Sequence, residues 1–368
     1  MIYNLKSQTD LSGLYIIYEG STLLEEPGNY GISHLLEHLV CKSFDDLNDD
    51  FDRYGISWNA YTESNLINFH FTGLEESLSK YRKKIFDRIF KFDVTKEDFE
   101  IERNIVLSEY EDYFNDQAYA HSMNLSRKLF NDFDPIGLRK DLENLKFMDT
   151  INFFEKQYMN PSKVINVSKK FKLNDIPVDF ANREIITNIT RGEYENDFEL
   201  NNQFKDKTSL VMVSDVINED NAKVNLLNQM ISHGLQSPLY QEIREKRGLV
   251  YYIHMYQSRH NTQGINYIST LTSNKNVSGV IDGVKKVFKN KDKFLNKNRF
   301  NVIKEYNLNK FKKQEVLRYA NIGNIITPEN FQVESILEDV KLSDLGDTFD
   351  KYYNLDDFHI SNDKKEFR

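Results

Sequence analysis

A single cysteine, Cys41, in 368 residues excludes an intrachain disulfide, so the fold is held by packing and not by crosslinks. No apolar run approaches the roughly 18 residues that a membrane-spanning helix needs, and Met1-Ile2-Tyr3-Asn4 does not open a secretory signal, so a cytoplasmic protein without a membrane partner is expected. The chain also lacks an excess of positive charge. Its formal net charge is −9 with 29% charged residues, which leaves no electrostatic footprint for a nucleic acid and suits a soluble protein, with some bias toward basic peptides. At this length one ordinary core is outgrown, and two domains of about 180 residues are expected.

Against that background, His34-Leu35-Leu36-Glu37-His38 stands out. On a helix turning about 100° per residue, His34, Glu37, His38 and Cys41 share one arc, and Leu35, Leu36, Leu39 and Val40 share the opposite one. One face packs while the other presents two imidazoles that can grip a zinc ion, with a carboxylate beside them. About seventy residues on, the acidic helical segment around Glu102-Arg103-Asn104 supplies Glu102 and Glu109, seven apart and therefore on nearly the same face. A catalytic zinc uses three protein ligands and one open position, a count that two histidines and one glutamate meet. Glu109 as third ligand would leave Glu102 behind the metal site to orient a ligand, and Glu102 and Glu111 are the competing candidates for the same role.

Residues 12–20, 66–72 and 164–167 read as strands, the second with Ile67, Phe69 and Phe71 alternating against Asn68, His70 and Thr72. Residues 32–53, 75–91, 96–114 and 140–158 read as helices, with a capping pattern at Asp93-Val94-Thr95-Lys96-Glu97. Strands and helices without regular parallel alternation indicate an α+β fold. The second half repeats the first: Gly55 and Gly248 lie 193 residues apart, each between a helix and an aromatic strand. The same offset carries His34 and His38 onto Leu227 and Ile231, so one zinc per chain is expected. Two homologous domains, 1–180 and 181–368, follow, with their boundary in the polar stretch 175–191.

The order H-x-x-E-H followed by the Glu-Arg helix resembles the inverzincin metallopeptidases of the pitrilysin, insulin-degrading enzyme and mitochondrial processing peptidase family. Four further segments match in order. They are Gly20-Ser21 with Glu25 ahead of the zinc helix, Asn59-Ala60 in an edge strand, Pro135-Ile136-Gly137 with Phe154 to Pro161, and Ser237-Pro238-Leu239-Tyr240 running on through Arg244 to Tyr251. The resemblance implies a processing-peptidase-like fold, each domain a mostly antiparallel sheet packed with helices. It selects Glu109 as the third zinc ligand, and it implies a packed thiol at Cys41, where the family carries an apolar residue.

By the same resemblance, Glu37 is the general base of peptide hydrolysis and Glu102 supports the metal site. Arg244 and Tyr251 then reach toward substrate as catalytic partners, with Tyr252 the rival of Tyr251, and Asn59 and Ala60 bind the peptide backbone by strand addition. His70, His233 and His254 are given no role. The chain corresponds to one half of the family's two-half chamber, which implies a homodimer, or a heterodimer with another half-length chain, acting on short or unfolded peptides. Some relatives are non-catalytic assembly or peptide-binding subunits, and this is the alternative function. Few residues precede Gly20-Ser21, which implies a smaller first sheet or one whose edge a partner covers; Lys42-Ser43-Phe44-Asp45 lacks the family's Gly-Thr turn.

Overall fold

The computed structural model describes residues 1–7, 9–130, 134–181, 206–217, 220–260, 263–313, 339–362 and 365–366. They form two compact units, and each is built on a five-stranded sheet packed with helices, the α+β class expected. The boundary expected within 175–191 falls largely outside the described residues. The units also depart from a simple division at 180/181, because the segment that begins at Tyr113 and runs through the following helix clusters with the second unit. Among the described residues, no helix is long and apolar enough to cross a membrane.

The first unit contains β1 (Ile2–Lys6), β2 (Leu11–Glu19), β3 (Ser57–Glu63), β4 (Leu66–Leu74) and β5 (Lys163–Ser168), in the order β1-β5-β2-β4-β3. Only the β1–β5 pair is parallel. Strand β1 forms the edge of the first sheet, which has as many strands as the second.

Its helices are α1 (Ile32–Lys42), α2 (Asn48–Arg53), α3 (Glu75–Lys91) and α4 (Lys96–Asn115). The single helix expected over 32–53 is broken because Phe44 turns fully into the core, against Phe51, Trp58 and Phe71. The Leu35, Leu36, Leu39 and Val40 stripe of α1 is buried to within 3%. Each such side chain contributes about 1.5–3 kcal/mol by leaving water, which fixes the opposite arc as the one free for chemistry. Helix α4 starts with a reciprocal cap: the Thr95 N–H donates to Asp98 Oδ2 at 2.9 Å and the Asp98 N–H to Thr95 Oγ1 at 3.1 Å.

After α5 (Gln117–Phe130), the helix expected over 140–158 is likewise split, into α6 (Arg139–Asn144) and α7 (Phe147–Phe153), which continues as a π turn over Phe154–Tyr158. The break at Leu145 is held from α4, whose Arg103 guanidinium donates to the Leu145 carbonyl at 2.9 Å.

The second unit has β6 (Lys207–Ile217), β7 (His254–His260), β8 (Gln263–Ser273), β9 (His359–Asn362) and β10 (Lys365–Glu366), in the order β10-β9-β6-β8-β7. Helices α8 (Asn221–Ser232), α9 (Val277–Lys289), α10 (Lys297–Lys313) and α11 (Leu342–Tyr352) belong to its main core, which is apolar and continuous from Leu210 to Phe358. Helix α5 closes the other sheet face, where Leu125 meets Val211, Val213, Ile265 and Tyr267. There the buried His121 is within 3.0 Å of the hydroxyls of Ser209 and Ser361.

The two sheets share one strand order when β2, β3, β4 and β5 are matched to β6, β7, β8 and β9, as the internal repeat requires. Gly55 and Gly248 both adopt left-handed backbone, at φ 61° and 62°, with open space where a Cβ would stand. Leu227 and Ile231, the counterparts of the two histidines, are fully buried core residues.

One acid contact joins α8 to α11. Asp220 accepts from Lys351 Nζ at 2.9 Å, Tyr352 Oη at 2.8 Å and Lys223 Nζ at 3.1 Å. Burial raises its carboxyl pKa, but the hydrogen bonds from Lys351, Tyr352 and Lys223 outweigh it and bring the value down from 3.8 to about 2. A carboxyl with a depressed folded-state pKa contributes stability above its unfolded value and loses it as the pH falls toward the folded one. The urea midpoint of wild type is therefore expected to fall between pH 4 and about 2 by more than that of Asp220→Asn. Equal slopes for the two proteins would remove Asp220 from the account.

Candidate functional site

Helix α1 is anchored at its N-terminus by contacts that set the direction of its polar arc. The Glu25 carboxylate accepts the Gly31 N–H at 3.1 Å and the Ser33 N–H at 3.0 Å, placing negative charge on the positive end of the helix. Gly31 has φ 99° and Gly137, with φ 79°, lies directly against it. A Cβ on Gly137 would collide with the Gly31 N and Cα and with the Tyr30 carbonyl oxygen. The Tyr30 N–H also donates to Asp141 Oδ2 of α6 at 3.1 Å.

One and two turns along, His34 and His38 project together, their ring centroids 4.7 Å apart. Helix α4 buries Phe99, Val106 and Tyr110, and this seats Glu102 and Glu109 toward α1. Glu109 Oε2 is 3.6 Å from His34 Nε2 and 3.7 Å from His38 Nε2, and one donor atom from each of the three lies within 4.8 Å of the others. Glu102 Oε2 is 3.3 Å from His38 Nδ1. The His38 tautomer that directs its Nδ1 proton at Glu102 is the one that leaves its Nε2 lone pair free for a metal ion. Burial, reinforced by His38, holds the His34 pKa down at about 3, so that ring is neutral.

Such a convergence of donor atoms suits a cation. Bonds of about 2.1 Å to a tetrahedral zinc ion set ligand atoms about 3.4 Å apart, close to the 3.6 and 3.7 Å from Glu109 to the two histidines. The donor set therefore fits the metal expected from the sequence.

Glu37 is 8% exposed and its Oε2 accepts the Thr62 hydroxyl at 2.7 Å. Burial pushes its pKa up, and the Thr62 hydrogen bond opposes part of that rise. Thr62 received no role from the sequence; its signal was the period of two along β3, which puts it on the side of the buried Ala60.

Cys41 is not among the donors that converge, and burial raises its thiol well above the ordinary value. Glu111 is engaged elsewhere, by Arg139 at 2.8 Å. Asn59 and Ala60 lie on β3, which among the described residues pairs only with β4 and so ends the sheet. The Asn59 side-chain oxygen accepts the Ala60 N–H at 2.9 Å.

Arg244 and Tyr251 meet each other in the second unit, with the guanidinium 5.1 Å from the Tyr251 ring centroid. Tyr251 is 79% exposed, whereas Tyr252 stacks on His254 at 5.2 Å. His70 stacks on Tyr15 at 6.1 Å, and His233 lies 4.3 Å from the ring of Tyr306.

Two family models match the chain: the peptidase M16 inactive domain over residues 160–307, and the middle or third domain of peptidase M16 over residues 16–135. The chain belongs to the peptidase M16 family.

Among M16 relatives, an uncharacterized zinc protease of Rickettsia bellii is 23% identical, over 96% of this chain and 92% of its own. The uncharacterized zinc protease YmxG of Bacillus subtilis is 23% identical over 66% of this chain and 63% of its own. A protease from Helicobacter pylori superposes with a TM-score of 0.74 at 15% identity, covering 98% of this chain and 96% of that one. The periplasmic protease PqqL from Escherichia coli matches with a TM-score of 0.62 at 14% identity over 98% of this chain but 46% of its own, so this M16 chain is a single half-length unit beside it. The inactive-domain match falls mainly on the unit in which Leu227 and Ile231 replace the histidines.

Proposed function

We propose that the protein is a zinc-dependent peptidase that hydrolyses short or unfolded peptides in an enclosed chamber. The observation that carries this reading is the convergence of His34, His38 and Glu109, two imidazoles and a carboxylate each offering a donor atom to one point, beside the buried carboxyl of Glu37. His34, His38 and Glu109 would hold a single zinc ion, which when bound would supply Lewis acidity toward an attacking water and the scissile carbonyl.

Glu37 accepts the proton of that water as its oxygen bonds to the carbonyl carbon, and returns a proton to the amine as the carbon–nitrogen bond breaks. Its burial favours the protonated form, which suits a carboxyl that must hold a proton between those steps. The Thr62 hydroxyl fixes which oxygen is free to do so. Glu102 holds His38 with its Nε2 lone pair toward the site. The free edge of β3 at Asn59 and Ala60 accepts an extended peptide as an added strand.

Arg244 and Tyr251 act on the substrate carbonyl from a second copy of the chain in a homodimer, or from another half-length chain in a heterodimer. The cytoplasm is the compartment we assign.

The zinc reading is tested by metal titration. Glu109→Ala is expected to abolish stoichiometric zinc binding, and Glu102→Gln to weaken it by about 10–100-fold while the chain stays folded. Unchanged affinity in both variants would sink it. A second reading, a non-catalytic assembly or peptide-binding subunit, is favoured by the kinds of family model that match, inactive and middle or third domain. Peptide binding without turnover in the zinc-loaded protein would establish it.

A further inference from the structure

The turn that carries Arg244 is one residue longer than its counterpart in the first unit. There, the Ile56 N–H bonds to the Phe51 carbonyl, five residues back, and Phe51 is 1% exposed. In the second unit the Leu249 N–H bonds to the Ile243 carbonyl, six residues back, and Ile243 is the buried residue. Both turns then pass through a left-handed glycine, so the ends match and the extra residue lies between them.

The π turn Tyr240–Glu245 houses it. Counted back from the glycines, Arg244 stands where Phe51 stands. With one residue added, Ile243 takes the core position and Arg244 turns outward. Single-residue insertions of this kind inside helices are frequent at functional sites, where they re-aim a side chain.

Turned out of the core, the guanidinium lies over two rings, 4.5 Å from the centroid of Tyr240 and 5.1 Å from that of Tyr251. Its carboxylate contact, Glu245, is 3.8 Å away, the long distance of a weak surface pair. Tyr240 is half-buried at the start of the π turn, and Tyr251 projects into solvent. Of the two rings, Tyr240 is therefore the fixed platform and Tyr251 the free one.

We propose that Tyr240 is a positioning residue: its ring seats the Arg244 guanidinium that the π turn has expelled from the core, so that Arg244 and Tyr251 are presented to substrate as one preorganised pair. The inference rests on the reading that Arg244 and Tyr251 engage the peptide. Leucine at 240 keeps bulk but removes the π face, and phenylalanine keeps the face.

The test uses the full-length, zinc-loaded protein as wild type, Tyr240→Leu and Tyr240→Phe, each with and without Arg244→Ala. Loss of one cation–ring contact is expected to lower kcat/KM on a quenched fluorescent peptide about fivefold in Tyr240→Leu, and Tyr240→Phe should restore it. In the Arg244→Ala background, Tyr240→Leu should have no further effect.

A second readout needs no turnover. The Arg244 Nε–H resonance, displaced by the two ring currents, should move toward the free-arginine position in Tyr240→Leu and stay in Tyr240→Phe, with zinc content and melting temperature unchanged. If leucine unfolds the protein, Tyr240→Met replaces it. Equal losses from Tyr240→Leu with and without Arg244, failure of phenylalanine to rescue, or an undisplaced resonance in wild type would each overturn the proposal. A wild type that cleaves no peptide but shows the displaced resonance would refute the peptidase reading alone.

Discussion

Replacing Glu37 by glutamine is expected to lower peptide hydrolysis by about 10³-fold while zinc remains bound at one ion per chain. The reason lies in which atoms converge: His34, His38 and Glu109 form the donor set, and Glu37 is not in it. The amide has the shape of the carboxyl and its oxygen can still accept from Thr62, so the packing around α1 is preserved. What is lost is the ability to take a proton from water. Because burial disfavours the charged carboxylate, the neutral amide should leave the melting temperature unchanged or slightly higher. Parallel measurement of turnover, zinc content and melting separates this from a general loss of structure. Activity within tenfold of wild type in the zinc-loaded variant would exclude Glu37 as the base.

The second large effect is expected far from any reacting atom. Gly137→Ala places a Cβ against the Gly31 backbone and the Tyr30 carbonyl, and it does so at φ 79°, where a side chain is already strained. Neither obstacle is the end of a flexible side chain, so relief requires moving the start of α1 and with it the Glu25 cap. A cost on the order of 3–5 kcal/mol is expected, with weaker zinc binding because His34 lies one turn away.

Gly55→Ala is the control. It shares the left-handed backbone, at φ 61°, but opens onto empty space, and should cost only about 1 kcal/mol. Urea unfolding of the two variants compares close approach with backbone conformation directly; equal losses would mean that the Gly31–Gly137 contact is not what fixes the helix.

The same glycine pair illustrates what can be read from a sequence. Pro135-Ile136-Gly137 was recognisable as a family segment, yet its purpose was not, because the contact that demands glycine joins positions over a hundred residues apart. The arc of α1 and the limits of α3 were legible, since a regular apolar stripe encodes both, and the family resemblance singled out Glu109 over Glu111. Strand β1 was missed: it is five residues long and pairs in parallel with a strand at the far end of the unit. Helix α5 was missed too; its buried residues include Ala120, His121, Ser122 and Leu125, which apart from the leucine are small or polar. The breaks at Phe44 and Leu145 carry no glycine or proline, and each is set by a tertiary contact and not by local preference. Thr62 shares a strand face with Ala60 and Tyr240 lay inside a quoted segment, but their roles depend on a hydroxyl reaching across to α1 and on a π turn, which no spacing specifies.

Turnover of a quenched fluorescent peptide library by the zinc-loaded wild type, before and after chelation and after zinc is restored, tests the central claim most directly. The account predicts cleavage that disappears with the metal and returns with it. A folded chain holding one zinc ion that binds peptides and cleaves none would contradict it, and would make this M16 member a binding subunit.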